Sequence, residues 1–213
     1  MRSTQYERSR PKGIRPILLR YPPCWSPNVS KLLPAFGFLT ALEDPQHGYF
    51  GGYLILSELG RPLEFHCSTP VLPNQAQRIL YGQTLAAYVL SDLIGQTLLA
   101  KSQLPVTAVL TDERDMLGLT LLRDETIVCV DSDDHPNCPP SDLAAPQFTL
   151  GHYRLFGTPT CLWQPGEQQQ ALQALSARID LAEPFDRIRE AIREAQRVTD
   201  SNTDQRHDIA DAA

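Results

Sequence analysis

The residue types best suited to chemistry gather after two apolar runs. Asp112, Glu113 and Asp115 follow Val106-Thr107-Ala108-Val109-Leu110, and Asp131, Asp133 and Asp134 follow Ile127-Val128-Cys129-Val130. Short, nearly continuous apolar runs read as strands buried on both faces, and their separation fits a β-α-β crossover with the two strands parallel. Asp112 and Asp131 then leave the sheet at one edge. Open α/β sheets bind ligands in the crevice outside the carboxyl ends of their strands, where paired carboxylates hold Mg²⁺ or Mn²⁺ for phosphoryl chemistry. Asp112, Asp131 and Asp134 are therefore the candidate Mg²⁺ or Mn²⁺ ligands, with Asp112 and Asp131 as the catalytic pair and Asp44 as a further carboxylate. The same residues also have plain structural uses. Asp112 is a natural helix N-cap, and an Asp-rich loop entry satisfies backbone amides.

A second cluster is Cys129, His135 and Cys138, a Cys-x5-His-x2-Cys arrangement with His66-Cys67 as further partners. Thiolates and imidazoles are the ligands zinc takes in tetrahedral sites, so these three are the candidate Zn²⁺ ligands. A Cys in an apolar strand serves equally well as a small core residue. His66 and Cys67 are adjacent on a strand, so they point to opposite faces and do not form a nucleophile and base. The sequence contains no G-x-S-x-G, Walker A, G-x-G-x-x-G, H-E-x-x-H or kinase signature.

The elements that position these residues are legible in the periodicity. Phe36, Phe38 and Thr40 alternate with smaller residues, a turn follows at Asp44-Pro45-Gln46-His47-Gly48, Tyr49 to Ser57 is rich in aromatic and aliphatic residues, and Leu63 to Cys67 alternates again, predicting a three-strand antiparallel meander. Gly51-Gly52 inside the second strand marks a bulge or a close approach by another element. Asn74 and Gln77 have capping-box spacing, predicting a helix to about Lys101 that Gly82 and Gly95 divide. Asp112 caps a short helix, residues 131–146 form a long acidic loop, and Phe148 to Phe156 adds an edge strand. Leu172, Leu175 and Ile179, and then Phe185, Ile188, Ile192 and Ala195 after Pro184, give two amphipathic helices.

The fold class is thus mixed α/β, a meander followed by α-β-α-β and two C-terminal amphipathic helices. Over about residues 36–131 this strand order resembles the ribonuclease H-like fold. The resemblance implies a carboxylate on the first strand, a Glu in the first helix and an Asp at the end of the fourth strand. Asp112 suits the last position. Phe36 to Leu42 carries no acid and Asn74 to Gln83 offers Gln in place of Glu, which implies a degenerate relative used for binding.

Composition sets the remaining bounds. An apolar share of 42% and a charged share of 21% are those of a globular chain, and 213 residues suit one principal domain. The expected organisation is a proline-rich basic arm over 1–34, a single α/β domain over 35–198 and a disordered tail over 199–213. Residues 1–20 hold six Arg or Lys against the single acid Glu7, a local balance of +5 that leaves −11 for the rest of a chain at −6. An acidic body repels a phosphate backbone, so nucleic acid would have to engage the arm or bound metal ions, and that partner is not favoured. No run of apolar residues is long enough to span a membrane, the first twenty residues lack the apolar stretch of a secretory signal, and five irregularly spaced cysteines do not form a disulfide framework, so the expected location is the cytoplasm. The leading functional expectation is a non-catalytic binding or assembly module with a protein partner or as a homo-oligomer. The alternative is a divalent-metal phosphoesterase or nuclease.

Overall fold

Alternation at period two in the first half of the chain and apolar runs in the second converge on one sheet. The computed structural model describes residues 34–132, 148–161, 163, 164 and 166–210. The chain divides into Met1–Leu32 and Leu33–Ala213, and the architecture is that of the second unit. The basic arm, apart from Pro34, lies outside the described residues, as do Asp133, Asp134, His135 and Cys138.

The meander consists of β1 (Ala35–Asp44), β2 (Gly48–Ser57) and β3 (Pro62–Cys67), all antiparallel. Strand β4 (Ala108–Thr111) runs parallel to β1, and β5 (Ile127–Ser132) parallel to β4, as the apolar runs predict. The expected edge strand over Phe148 to Phe156 is instead a hairpin of β6 (Phe148–Leu150) and β7 (Tyr153–Phe156). Gly151 reverses the chain there at φ 63°, a conformation a side chain would oppose. The seven strands lie in the order β3-β2-β1-β4-β5-β7-β6. The architecture is mixed α/β.

Both faces of the central strands are covered. On one side lie α1 (Gln75–Tyr81), a 3₁₀ turn, α2 (Leu85–Ala87), a π-helical stretch over Tyr88–Gly95, α3 (Gln96–Lys101) and a 3₁₀ helix over Arg114–Leu121. On the other lie α4 (Glu167–Ser176) and α5 (Glu183–Ala210), which extends past the Thr199 where the sequence reading ends it. Leu39, Ile55, Val109, Ile127 and Cys129 face the first layer, and Phe36, Phe38, Leu54, Leu110, Val128 and Val130 the second. The α5 stripe Phe185, Ile188 and Ile192 is buried in the second core, so it packs on its own sheet.

The capping box forms as its spacing predicts: Gln77 N donates to Asn74 Oδ1 and Asn74 N to Gln77 Oε1, both at 2.9 Å. Gly82 ends α1 at φ 51°. Gly95 does not break the helical segment; its missing side chain admits Leu119 from the 3₁₀ helix. Ile79 and Leu80 of α1 are 70% and 82% exposed because the break at Gly82 separates α1 from the turns that reach the sheet.

Gly51 and Gly52 carry no bulge; the register shift falls opposite Ile55 and Leu56, where Leu63 of β3 is the extra residue. The two glycines face opposite sides, and each receives an isoleucine from the layer above it. A Cβ on Gly51 would collide with Ile94 Cγ2 and sit 3.1 Å from Leu98 Cδ1. One on Gly52 would collide with Ile188 Cγ2 and sit 3.1 Å from Ile192 Cδ1. Gly52→Ala is expected to cost about 1–3 kcal/mol by overpacking. Urea denaturation of Gly52→Ala, Ile188→Ala and the double variant should give a double-variant loss smaller than the sum of the two, because truncating Ile188 vacates the space that the methyl added at Gly52 needs.

Candidate functional site

Strand alternation decides which of the candidate carboxylates meet. Leu110 faces the α4–α5 layer and Thr111 the other, so Asp112, just beyond β4, returns to the α5 side. There Arg189 of α5 donates from Nη2 to Asp112 Oδ2 at 2.5 Å, with the two side chains 22% and 13% exposed. The same guanidinium lies 3.7 Å from Glu113 and 3.5 Å from Asp186. Asp131 follows Ile127 and Cys129 and so belongs to the opposite face of the sheet. It is 2% exposed, stands in register with Arg154 of β7 and accepts from Arg154 Nη2 at 2.9 Å. The two aspartates share a sheet edge, as the topology requires, but the pleat sends them to different faces and each meets an arginine.

The remaining carboxylate positions are equally informative. Leu39 is level with Thr111, so Thr40 lies beside Asp112 on the neighbouring strand and on the same face. Thr40 is fully buried, and among the described residues its Oγ1 has no hydrogen-bond partner. Asp44 lies four residues further along β1, about 13 Å away at the usual strand rise. It accepts from Gln46 N and His47 N at 2.8 Å each and from the His47 ring at 2.9 Å, and these bonds to the charged form hold its carboxyl below the ordinary range. Asp44 thus closes the β1–β2 turn.

Asp112 is not the cap of the helix that follows. The amide of Glu113 donates to Thr111 Oγ1 at 3.1 Å, and Glu113 stands at the N-cap position without a side-chain bond to the helix. Burial is the largest cause pushing the Glu113 carboxyl up, to about 7, followed by the charge on Asp112; Arg189 pulls the other way. Of the soft-ligand candidates, Cys129 is buried in the first core cluster. His135 and Cys138, like Asp134, lie outside the described residues. His66 bonds to Glu64 on the same face of β3, while Cys67 is exposed on the other. Among the described residues, no group of three His, Cys, Asp or Glu side chains is arranged to hold a metal ion.

Sequence reasoning missed both arginines. Arg189 left a signal, since it stands next to Ile188 and four residues after Phe185, on the flank of the apolar stripe. A cation there faces the sheet edge and not open solvent. Arg154 left none, because the hairpin that sets its register against Asp131 reads as one strand in the sequence. The hairpin and the α4–α5 connection also line a shallow depression of about 330 Å³, where Tyr153 donates to Asp180 and the His152 and Tyr153 rings lie 4.0 Å apart. The Tyr153 bond is the largest cause holding the Asp180 carboxyl down. Among the described residues, no helix is long and apolar enough to cross a membrane. No protein-family profile matches the chain, and no curated protein matches it significantly.

Two outcomes follow from the Arg189 cluster. Because the folded-state value of Glu113 is raised above its ordinary 4.5, its stabilising contribution is full below about 4.5 and is lost as the pH rises through about 7. Glu113→Gln should therefore gain stability over the parent at pH 8 and lose that advantage by pH 5, read from urea midpoints. Arg189→Met leaves a half-buried Asp112 without its guanidinium and should cost about 1–3 kcal/mol. Adding Asp112→Asn to it should recover part of that loss.

Proposed function

We propose that this domain is a non-catalytic binding or assembly module. The observation that carries the reading is the neutralisation of Asp112 by Arg189. A two-metal or one-metal phosphoryl site needs an excess of carboxylate oxygen facing a shared cation. Here the strand-end carboxylate already has a permanent cation from the protein, and the position beside it on β1 is Thr40. The strand order β3-β2-β1-β4-β5, with β2 antiparallel and β4 and β5 parallel to β1, supports kinship with the ribonuclease H-like fold in the degenerate form that the missing acids suggest.

The α5 stripe does not serve as the binding surface, since it is core. Exposed apolar side chains elsewhere, among them Phe65 on β3 and Ile79 and Leu80 on α1, are the surfaces that a module of this kind would use.

One observation favours the alternative, a divalent-metal phosphoesterase or nuclease: next to Asp112 at the strand end lies Glu113, whose carboxyl burial pushes up to about 7, a carboxylic acid beside a candidate ligand. A thermal-shift series separates the two readings. Mg²⁺, Mn²⁺ and Zn²⁺ should each leave the melting temperature unchanged in the parent and in Asp112→Asn. Stabilisation by Mn²⁺ in the parent that disappears in Asp112→Asn would overturn the module reading. Stabilisation by Zn²⁺ alone would direct attention to Cys129, His135 and Cys138.

A further inference from the structure

We infer that β3 is a self-association edge, through which two copies of this chain join into one continuous sheet. This rests on the assembly reading and names its partner. Strand β3 ends the sheet. Of the nine large hydrophobic side chains exposed among the described residues, four lie along it and its flanks: Leu59 in the turn before it, Leu63 and Phe65 within it, and Leu72 just beyond the Tyr49–Val71 bridge that prolongs its line. Among the described residues, helix α5 packs against β1 and β2, and the adjoining face of β3 is exposed at Phe65 and Cys67. An exposed edge bearing apolar side chains is where chains add to one another.

The phase of the ladder fixes which backbone groups are available. Ser68 N donates to Gly51 O at 2.9 Å, and the register pairs Tyr53 with His66 and Leu54 with Phe65. In an antiparallel ladder the inward-bonding residues alternate, so His66 turns its N–H and C=O toward β2 while Phe65 and Cys67 turn theirs outward.

The strand is self-complementary about Phe65. With Phe65 opposite Phe65 of a second copy, the outward N–H and C=O of the two phenylalanines satisfy each other. On the uncovered face the two rings meet beside Cys67 of each copy, and Leu63, the unpaired residue of the irregularity between Pro62 and Glu64, marks where the regular edge ends. On the opposite face Glu64 of each copy lies across from His66 of the other. Shifting the register by two residues places Glu64 against Glu64 or His66 against His66, so charge selects the centred arrangement. Glu64 does not guard the edge as a bare charge, because it is already bonded to His66 and near Ser102 Oγ and Gln103 N at 3.3 Å. A two-fold axis of this kind closes on itself and stops at the dimer.

Sedimentation equilibrium on the full chain over a wide concentration range tests this directly. The parent should approach twice the monomer mass at high concentration. Phe65→Lys should remain a monomer with an unchanged far-ultraviolet spectrum, because Phe65 is 41% exposed and contributes to neither core. Phe65→Cys in a Cys67→Ser background should form a reducible covalent dimer that Cys67→Ser alone does not form, since facing residues on paired strands lie within disulfide reach. A parent that stays monomeric throughout overturns the inference, as does a dimer that survives Phe65→Lys and resists Phe65→Cys cross-linking. Neither result touches the module reading, whose failure is read separately from Mn²⁺ stabilisation lost in Asp112→Asn.

Discussion

The structure depends on burying both faces of a sheet at once, and the tightest point of that constraint is Gly51-Gly52. A strand sandwiched between two helical layers normally holds each layer off with its side chains. At these two positions it holds off nothing, so Ile94 descends from one side and Ile188 from the other until each occupies the space of an absent Cβ. Close packing makes such contacts specific: a single added methyl must displace a branched side chain whose own neighbours are fixed. The seat of Ile188 sets the height of α5 over β1 and β2, and with it the reach of Arg189, the next residue, toward the end of β4.

The strands were the most legible part of the sequence because their signals are local. The alternation at Phe36 to Thr40 and Leu63 to Cys67, the aromatic and aliphatic segment Tyr49 to Ser57 and the runs ending at Leu110 and Val130 each specify an element without reference to anything distant, whereas burial is set by the layers: β1 and β2 are buried on both faces and β3 is largely exposed. The capping box at Asn74 and Gln77 is equally local, and it formed as its spacing requires. The helical segment after it was less legible. Gly82 and Gly95 are the same residue type, yet one breaks the helix at positive φ and the other makes room for Leu119. Only the packing partner distinguishes a glycine that frees the backbone from one that clears space. The β6–β7 hairpin was missed for a related reason: strands of three and four residues around Gly151 are too short for alternation to separate from one longer strand.

The candidate site was legible in its placement and illegible in its pairing. Topology alone puts Asp112 and Asp131 at one edge of two adjacent parallel strands, and that edge exists. Whether they share a ligand depends on the parity of their positions in the pleat, and a shift of one residue in the end of either strand reverses it. The apolar run ends β4 at Leu110, whereas the strand continues to Thr111. Their partners were further from view, because Arg189 and Arg154 approach from elements whose register no local pattern encodes.

Arg189 also explains why a cation site at this edge is hard to create by small changes. A guanidinium stays charged at any pH the protein meets, so it does not yield its place by losing a proton. A divalent ion would have to displace it from Asp112, from the neighbourhood of Glu113 and from Asp186 together. Moving the side chain aside is opposed from within the same helix, where Ile188 and, one turn on, Ile192 are both seated over Gly52. The charge pair and the isoleucine stripe are therefore parts of one arrangement: the apolar contacts hold α5 at the height where Arg189 meets Asp112, and the ion pair satisfies a carboxylate that this closely packed helix would otherwise strip of water.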